Sequence, residues 1–303
     1  MITSSDFLVT VYVLSYNSSK TIIETLDSIR EQTYKNIELI VTDDCSSDNT
    51  VTLVKQWLVK NKKFFVDARL IEASINTGVA ENSNRAIRDA NGKWLKVIAG
   101  DDMLLPDCVE INVKYVEEHP EVKVLFSHTI KRYIRKDKDL VYKPEGADLR
   151  FYSLSSEQQY LELLKHKIVV LAPTSFIEAK LLKEMPYDIR YRNIEDLPKW
   201  VDFTSKGIKL YYMDKPTVLY RIDDNMSSGS SRYFYSRTMW ESYIPFFYEV
   251  MRPAMTKNQL LQNIKEKEND IMRYLFAVNV LGNNRTLINS IRLKLFTWFY
   301  KRH

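Results

Sequence analysis

Three pairs of adjacent acids stand at Asp43-Asp44, Asp101-Asp102 and Glu195-Asp196, and each falls where the pattern places a strand end or a helix start. Asp101-Asp102 follows the apolar run 94–98 by way of Gly100, a residue that lets backbone pass close to a ligand. Two carboxylates there suit a hard divalent cation held by oxygen, with a nucleotide diphosphate completing the shell. The plainer reading is a solvated turn or a cap for the residues from Met103 on, and a lone acid pair is more often that. Asp43-Asp44 closes the run 37–42, where a carboxylate can accept the imide hydrogen of a uracil or bind a ribose hydroxyl. Asp, Ser and Asn are also ordinary residues before a helix. Glu195-Asp196 opens a helical pattern; the helix dipole alone favours an acid in a first turn. Its chemical reading is a general base that takes a proton from a sugar hydroxyl as that hydroxyl attacks an anomeric carbon.

These acids need elements to hold them. Residues 8–14 form a short, β-branched apolar run, as expected of a strand buried on both faces. Asn17 or Ser18 is then predicted to cap a helix whose apolar positions Ile22, Ile23, Leu26 and Ile29 share one face. Strands follow at 37–42, 65–71 and 94–98, separated by a helix carrying Val51, Val54 and Leu58 and a polar helix at 80–90. Four rounds of alternation predict an α/β fold with a mostly parallel, doubly wound sheet. Polar residues gather after the strand ends, at Ser15-Tyr16-Asn17, 43–48, Asn76 to Gly78 and Asp101-Asp102. In an open α/β sheet those ends form the ligand crevice. Beyond Pro106 the pattern predicts a helix at 107–118, a sheet strand at 122–129, a basic hairpin or loop at 131–143 and a helix at 155–167. An apolar segment at 168–172, a helix at 197–206 and two short strands at 209–213 and 218–221 complete this part. From Tyr233 the chain reads as helical. The division expected is 1–230 for the α/β domain and 231–303 for a helical extension that associates with membrane or a partner.

The 303 residues are 45% hydrophobic and 27% charged, the composition of a globular protein with a sizeable core and an appendage. Two cysteines, Cys45 and Cys108, are too few for a disulfide framework and point to a reducing compartment. A net charge of +5 with scattered basic residues and no recognised module argues against nucleic acid. No run approaches the ~18 apolar residues of a spanning helix, and no basic n-region or cleavage site marks a signal peptide, so a cytoplasmic protein is expected. The stretch 285–303 holds Arg285, Arg292, Lys294, Lys301 and Arg302 and no acid before it ends in His303, with large apolar residues between the cations. It suits peripheral contact with anionic lipid, and equally a helix packed on the domain or a partner.

The series of three acid pairs in this alternation resembles one family, the inverting nucleotide-sugar-dependent glycosyltransferases of family 2, whose fold is GT-A, a Rossmann-like arrangement. The resemblance covers residues 7–225 and points to bacterial surface polysaccharide assembly, capsule or lipopolysaccharide among them. Ser15-Tyr16-Asn17 looks like the family's opening signature, and residues 42–50 are similar to its second, which implies Asp44 on the uracil of a UDP-sugar. Asn76-Thr77-Gly78 resembles the third, donor-binding segment. Gly100-Asp101-Asp102 looks like the metal motif, implying Asp102 as ligand to Mn²⁺ or Mg²⁺ and Asp101 toward the donor sugar or ribose. Ile194-Glu195-Asp196 resembles the base motif, implying Asp196 as general base with Glu195 beside it. The implied acceptor is a carbohydrate, free or lipid-linked. Three positions depart from the family: Ser83 stands where an Arg is usual, leaving Arg85 as the cation for a diphosphate if there is one. Asp223-Asp224 follows Tyr220-Arg221 where many relatives have a His, and Gly100 replaces the first acid of the longer motif. Two other readings are weaker. A nucleotidylyltransferase would need a Gly-rich loop after the first strand, and Leu14-Ser15-Tyr16-Asn17 has no glycine; a non-catalytic nucleotide-sugar-binding scaffold would not need Asp196.

Overall fold

The computed structural model describes residues 7–133, 138–165, 168, 170–222 and 233–302, with side chains to Trp298. The chain divides into two compact units, Met1–Arg221 and Ile222–His303.

The first unit is built on one sheet in the order β3-β2-β1-β4-β8-β6-β9-β5, with β7 pairing β6. Its parallel centre consists of β1 (Val9–Ser15), β2 (Ile37–Asp43), β3 (Asp67–Glu72) and β4 (Trp94–Ala99). β1 and β2 are buried along nearly their whole length, which is why their sequences are β-branched without alternation. One face carries Val9, Val11, Val13, Leu39 and Val41 against Ile22, Leu26 and Ile29 of α1 (Ile22–Arg30) and Val54 and Trp57 of α2 (Thr50–Asn61). Beside β3, α3 (Val79–Asp89) carries the polar helix expected at 80–90. The register sets Ser15 beside Asp43 and Leu14 beside Ala99, so the loops after β1, β2 and β4 leave the sheet at one level. The polar strand ends that the sequence expects to share one edge of the sheet therefore do lie together.

β5 (Met103–Leu104) is followed by α4 (Cys108–Glu118), β6 (Val124–Tyr133) and β7 (Lys138–Tyr142), the last two forming the hairpin expected in the basic stretch. Then come α5 (Gly146–Ser153), α6 (Ser156–Lys165), β8 (Phe176–Glu178), α7 (Ala179–Glu184), α8 (Asp196–Ser205) and β9 (Tyr211–Ile222). β8 runs antiparallel to both β4 and β6. Where sequence predicts two short strands, β9 is one strand of 12 residues. Between the two expected segments, Asp214 and Lys215 have both side chains exposed, so extended backbone passes through at no cost in burial. The predicted cap also differs: α1 is capped at Thr21, because the Ser18 carbonyl accepts the Thr21 and Ile22 N–H groups while Asn17 takes a left-handed φ of 52°.

The second unit is helical. α9 (Arg237–Phe246) widens into a π-helical turn at Phe247–Met251 and continues as α10 (Arg252–Lys257). Pro245 and Pro253 bracket that turn, and neither can donate the usual i−4 bond. α11 (Leu261–Asn279) and α12 (Leu287–Arg302) follow, joined through Gly282 and Asn283, both at positive φ. Asn283 holds the joint, exchanging side-chain bonds with the Tyr235 N–H and C=O at 3.1 and 2.8 Å. Among the described residues, no helix is long and apolar enough to cross a membrane.

Candidate active site

Three polar segments after β1, β2 and β3 are tied to one another. Ser15 is buried and donates from Oγ to Asp43 at 2.9 Å, while Asp43 also accepts the Ser46 N–H and hydroxyl at 2.8 and 2.6 Å. The turn at Asn17 docks on the next loop: its N–H donates to Ser46 Oγ at 2.8 Å, and its side-chain oxygen accepts the Ser47 N–H at 2.9 Å. Tyr16 stays half exposed. Asp44 turns the other way. Its carboxylate accepts the Thr77 N–H at 3.0 Å, the Thr77 hydroxyl at 2.6 Å and the Gly78 N–H at 2.7 Å, fixing the segment that leads into α3. Arg85 is committed there too, with its guanidinium on Asn82 Oδ1 at 2.7 Å and Thr77 Oγ1 at 2.9 Å. It braces the Asp44 cluster from behind instead of standing open to an anion.

Gly78 has φ +89°, and a Cβ there would lie 2.1 Å from Arg192 Cγ and 2.7 Å from the Arg192 carbonyl oxygen. The Arg192 guanidinium donates to the Asn76 carbonyl at 2.6 Å and to its Oδ1. The loop that carries Glu195-Asp196 therefore lies directly on the Asn76-Thr77-Gly78 segment.

Asp101-Asp102 follows β4. Asp102 is 2% exposed, and its Oδ1 accepts the Arg221 N–H of β9 at 2.9 Å. Burial, then the charge of Asp101, pushes the Asp102 carboxyl up to about 8; Asp101 is raised as well, chiefly by burial. The backbone around them is gripped by a polar face of α1 and its cap. Thr21 Oγ1 donates to the Gly100 carbonyl at 2.8 Å, and Thr25 Oγ1 to the Asp102 carbonyl at 2.7 Å. Ser28 Oγ accepts the Leu104 N–H at 3.1 Å, and Gln32 bonds both the Leu105 carbonyl at 2.8 Å and the Val109 N–H at 3.0 Å. The spacing 21, 25, 28, 32 is one helical stripe. A Cβ on Gly100 would sit 3.0 Å from Ser18 Oγ, so the close approach of this turn leaves little room for an acid at that position.

Glu195 caps α8, and Asp196 begins it, accepting the Leu197 N–H at 2.7 Å. Both carboxyls are raised, Glu195 to about 8 by burial and then by the charge of Asp196. They lie near Tyr12 of β1 and Tyr187, whose hydroxyls are hydrogen-bonded to each other and held protonated mainly by burial. Tyr187 is fixed from two sides. Asn84 of α3 exchanges bonds with its N–H and C=O, each at 2.8 Å, and the buried Lys199 of α8 donates to the Met185 and Pro186 carbonyls at 2.9 and 2.7 Å.

Tyr220 of β9 joins the two acidic pairs. Its phenol is pushed up to about 12, by burial first and then by Asp102, Asp101 and Asp196. Tyr220 thus feels the charge of Asp101, Asp102 and Asp196, while the neighbouring Arg221 draws the Asp101 and Asp102 carboxyls down. Among the described residues, no cluster of three or more His, Cys, Asp or Glu side chains could hold a metal, so a cation at Asp101 and Asp102 would need ligands from outside the chain. The two adjacent, largely buried carboxyls, raised by burial although Arg221 draws both down, fit a hard dication whose remaining ligands are phosphate oxygens and water. Asp223-Asp224, the departure noted in the sequence, lies outside the described residues. Sequence reasoning passed over Tyr12, Asn84, Tyr187, Arg192, Lys199 and Tyr220; only the stripe 21, 25, 28, 32 left a readable signal, as polar residues at helical spacing.

Residues 10–185 match the family described as Glycosyl transferase family 2. The chain belongs to that family. It is 30% identical over 217 residues to the Escherichia coli UDP-Glc:alpha-D-GlcNAc-diphosphoundecaprenol beta-1,3-glucosyltransferase WfaP, covering 71% of this chain and 77% of that one. It is 25% identical over 240 residues to the putative teichuronic acid biosynthesis glycosyltransferase TuaG of Bacillus subtilis, covering 78% and 87%. Residues 1–349 of S. aureus TarS in complex with UDP-GlcNAc superpose with a TM-score of 0.58 at 20% identity, over 89% of this chain and 72% of that one. The mannosyltransferase PcManGT from Pyrobaculum calidifontis, in complex with GDP-Man and Mn2+, gives 0.59 at 16% identity, over 98% and 82%. The fold is GT-A, as the sequence resemblance implied.

Proposed function

We propose that this family 2 glycosyltransferase moves a hexose from a UDP-sugar, with inversion, to a hydroxyl of a saccharide acceptor, lipid-linked, in surface polysaccharide assembly. The observation that supports the reading is the placing of two acid pairs about the strand ends, Asp101-Asp102 tied to β9 through the Arg221 N–H and Glu195-Asp196 on the loop that lies on Asn76 to Gly78. One is suited to the departing diphosphate and the other to the attacking hydroxyl. The name of the relative WfaP, a UDP-Glc:alpha-D-GlcNAc-diphosphoundecaprenol glucosyltransferase, supports the donor and acceptor classes.

The donor lies across the ends of β1, β2 and β4, with Asp44 toward the uracil and Ser15, Tyr16, Asn17, Asn76 and Gly78 shaping the nucleotide side. Because Thr77 and Gly78 already occupy much of the Asp44 carboxylate, that acid orders the loop as well as reading the base. Asp102 would hold Mn²⁺ or Mg²⁺ with Asp101 beside it, and the ion's chemistry is to offset charge that develops on the leaving diphosphate. Asp196 accepts the acceptor proton as the hydroxyl attacks the anomeric carbon on the face opposite the leaving group, so one displacement inverts the centre. Glu195 holds the neighbouring proton and raises the basicity of the pair.

The test is a screen of UDP-sugars and GDP-mannose for donor hydrolysis with Mn²⁺, Mg²⁺ or EDTA, followed by transfer to a polyprenyl-diphosphate saccharide. Metal-dependent release of UDP and an inverted product support the reading. GDP-sugar preference, full turnover in EDTA, or binding of a UDP-sugar with no transfer to any acceptor overturns it.

A further inference from the structure

We infer that the outer face of α12 docks on an anionic lipid surface. α12 has two apolar faces. One is packed: Leu293 is 3% exposed, and Phe296 stacks on Phe276 of α11 with ring centroids 4.1 Å apart. The other carries Leu287, Ile288, Ile291, Leu295 and Trp298, which are 80, 63, 51, 53 and 49% exposed. At about 100° per residue these five fall within an arc of about 100°, and the stripe runs about 16 Å along the helix.

The charges choose the occupant. Arg292 and Lys294 are exposed at opposite edges of that arc, and Arg285 is exposed just before the helix. Residues 271–303 contain no Asp or Glu, and Lys301 and Arg302 add further positive charge in sequence. An apolar stripe edged by cations on both sides matches the boundary of an anionic bilayer, where apolar side chains enter the acyl region and cations meet lipid phosphates. A second copy fits poorly, because a two-fold contact would set the same cations against each other. The stripe is far shorter than a spanning helix needs, so α12 would lie in the plane of the interface. This inference is independent of the transfer reaction, since vesicle binding needs no donor.

The experiment uses the full chain with vesicles of phosphatidylcholine alone or with one-third phosphatidylglycerol, read by co-sedimentation. The expected result is at least tenfold tighter binding to the anionic vesicles, weakening as salt rises. Ile291→Glu/Leu295→Glu should abolish binding, and Arg292→Gln and Lys294→Gln should each weaken it roughly fivefold. Circular dichroism and melting temperature of these outward-facing variants should match the parent, so a loss is read as lost docking. Equal binding to both vesicles, or unchanged binding of the double variant, overturns the inference. Self-association of the parent that Ile291→Glu/Leu295→Glu disrupts also overturns it, by assigning the face to a second copy.

Discussion

Replacing Asp196 by Asn separates a general base from a helix-terminal acid, because the two roles predict opposite changes. The Asn side chain keeps the size and can still accept the Leu197 N–H that Asp196 accepts at 2.7 Å. It cannot take a proton, so turnover should fall by on the order of 10² to 10⁴ at every pH. The pair titrates as a unit, and with Glu195 raised to about 8 and Asp196 raised as well, part of the population retains a shared proton at pH 7 that blocks the base. The parent rate should therefore rise between pH 7 and 9, and Glu195→Gln, which lacks the second ionisation, should rise less over that range. Stability moves the other way. Carboxyls raised in the folded state bind protons more tightly than in the unfolded chain, so their contribution is complete below about pH 4 and is lost as pH rises toward 8. Asp196→Asn should therefore gain in melting temperature relative to the parent on going from pH 4 to pH 8. The partial exposure of both side chains keeps that gain well under what the shift alone would carry. Transfer rate and melting temperature measured on the same preparations decide the matter. Near-normal turnover in Asp196→Asn, together with a lower melting temperature at pH 8 matching the ~1 kcal/mol of a lost helix-terminal acid, would refute the base assignment.

Further outcomes follow from the same geometry. Mn²⁺ should raise the melting temperature of the parent in a thermal-shift assay and leave Asp102→Ala unmoved; an equal shift in both would take Asp102 out of metal binding. Asp44→Ala should lower both stability and UDP affinity, because it frees the Thr77 and Gly78 N–H groups, so nucleotide choice is better read from the UDP-to-GDP affinity ratio of Asp44→Asn by calorimetry. A falling ratio supports base reading; an unchanged one leaves Asp44 only the loop. Gly78→Ala should cost more than about 1 kcal/mol by denaturant melting, since positive φ and the Arg192 carbonyl 2.7 Å away both oppose a Cβ. Stability equal to the parent would show that the loop rearranges freely.

The centre of the fold was legible because strands buried on both faces read as short, near-continuous apolar runs, and 8–14 and 37–42 are rich in β-branched residues within a residue or two of β1 and β2, while 94–98 stands out as β4 despite the buried Lys96. The acid pairs stood out for a related reason, as charge clustered at the ends of apolar runs. What stayed hidden is set by contacts between distant segments. β9 read as two short strands because local composition does not reveal that the Asp214 and Lys215 side chains between them face outward. Tyr12 lay unnoticed inside an apolar strand because only the fold brings Tyr187 and Glu195 to it. Arg85 looked available to an anion until the neighbouring Asn82 and Thr77 were seen to hold it. Arg192 carries no local signal at all, since its partner Asn76 is 116 positions away.

The stripe Thr21, Thr25, Ser28 and Gln32 has a bearing on how this enzyme can be recombined with its relatives. Each of the four bonds the backbone of residues 100–109, so the helix recognises the path of that segment and is indifferent to most of its side chains. A chimera that imports a relative's segment 100–109 with a different length would leave four polar side chains without their backbone partners, and one that imports a relative's first helix would leave that segment untethered. The two segments, more than seventy residues apart in the chain, form a single exchangeable cassette, and shuffling libraries with a crossover between them should yield folded progeny only where both come from one parent.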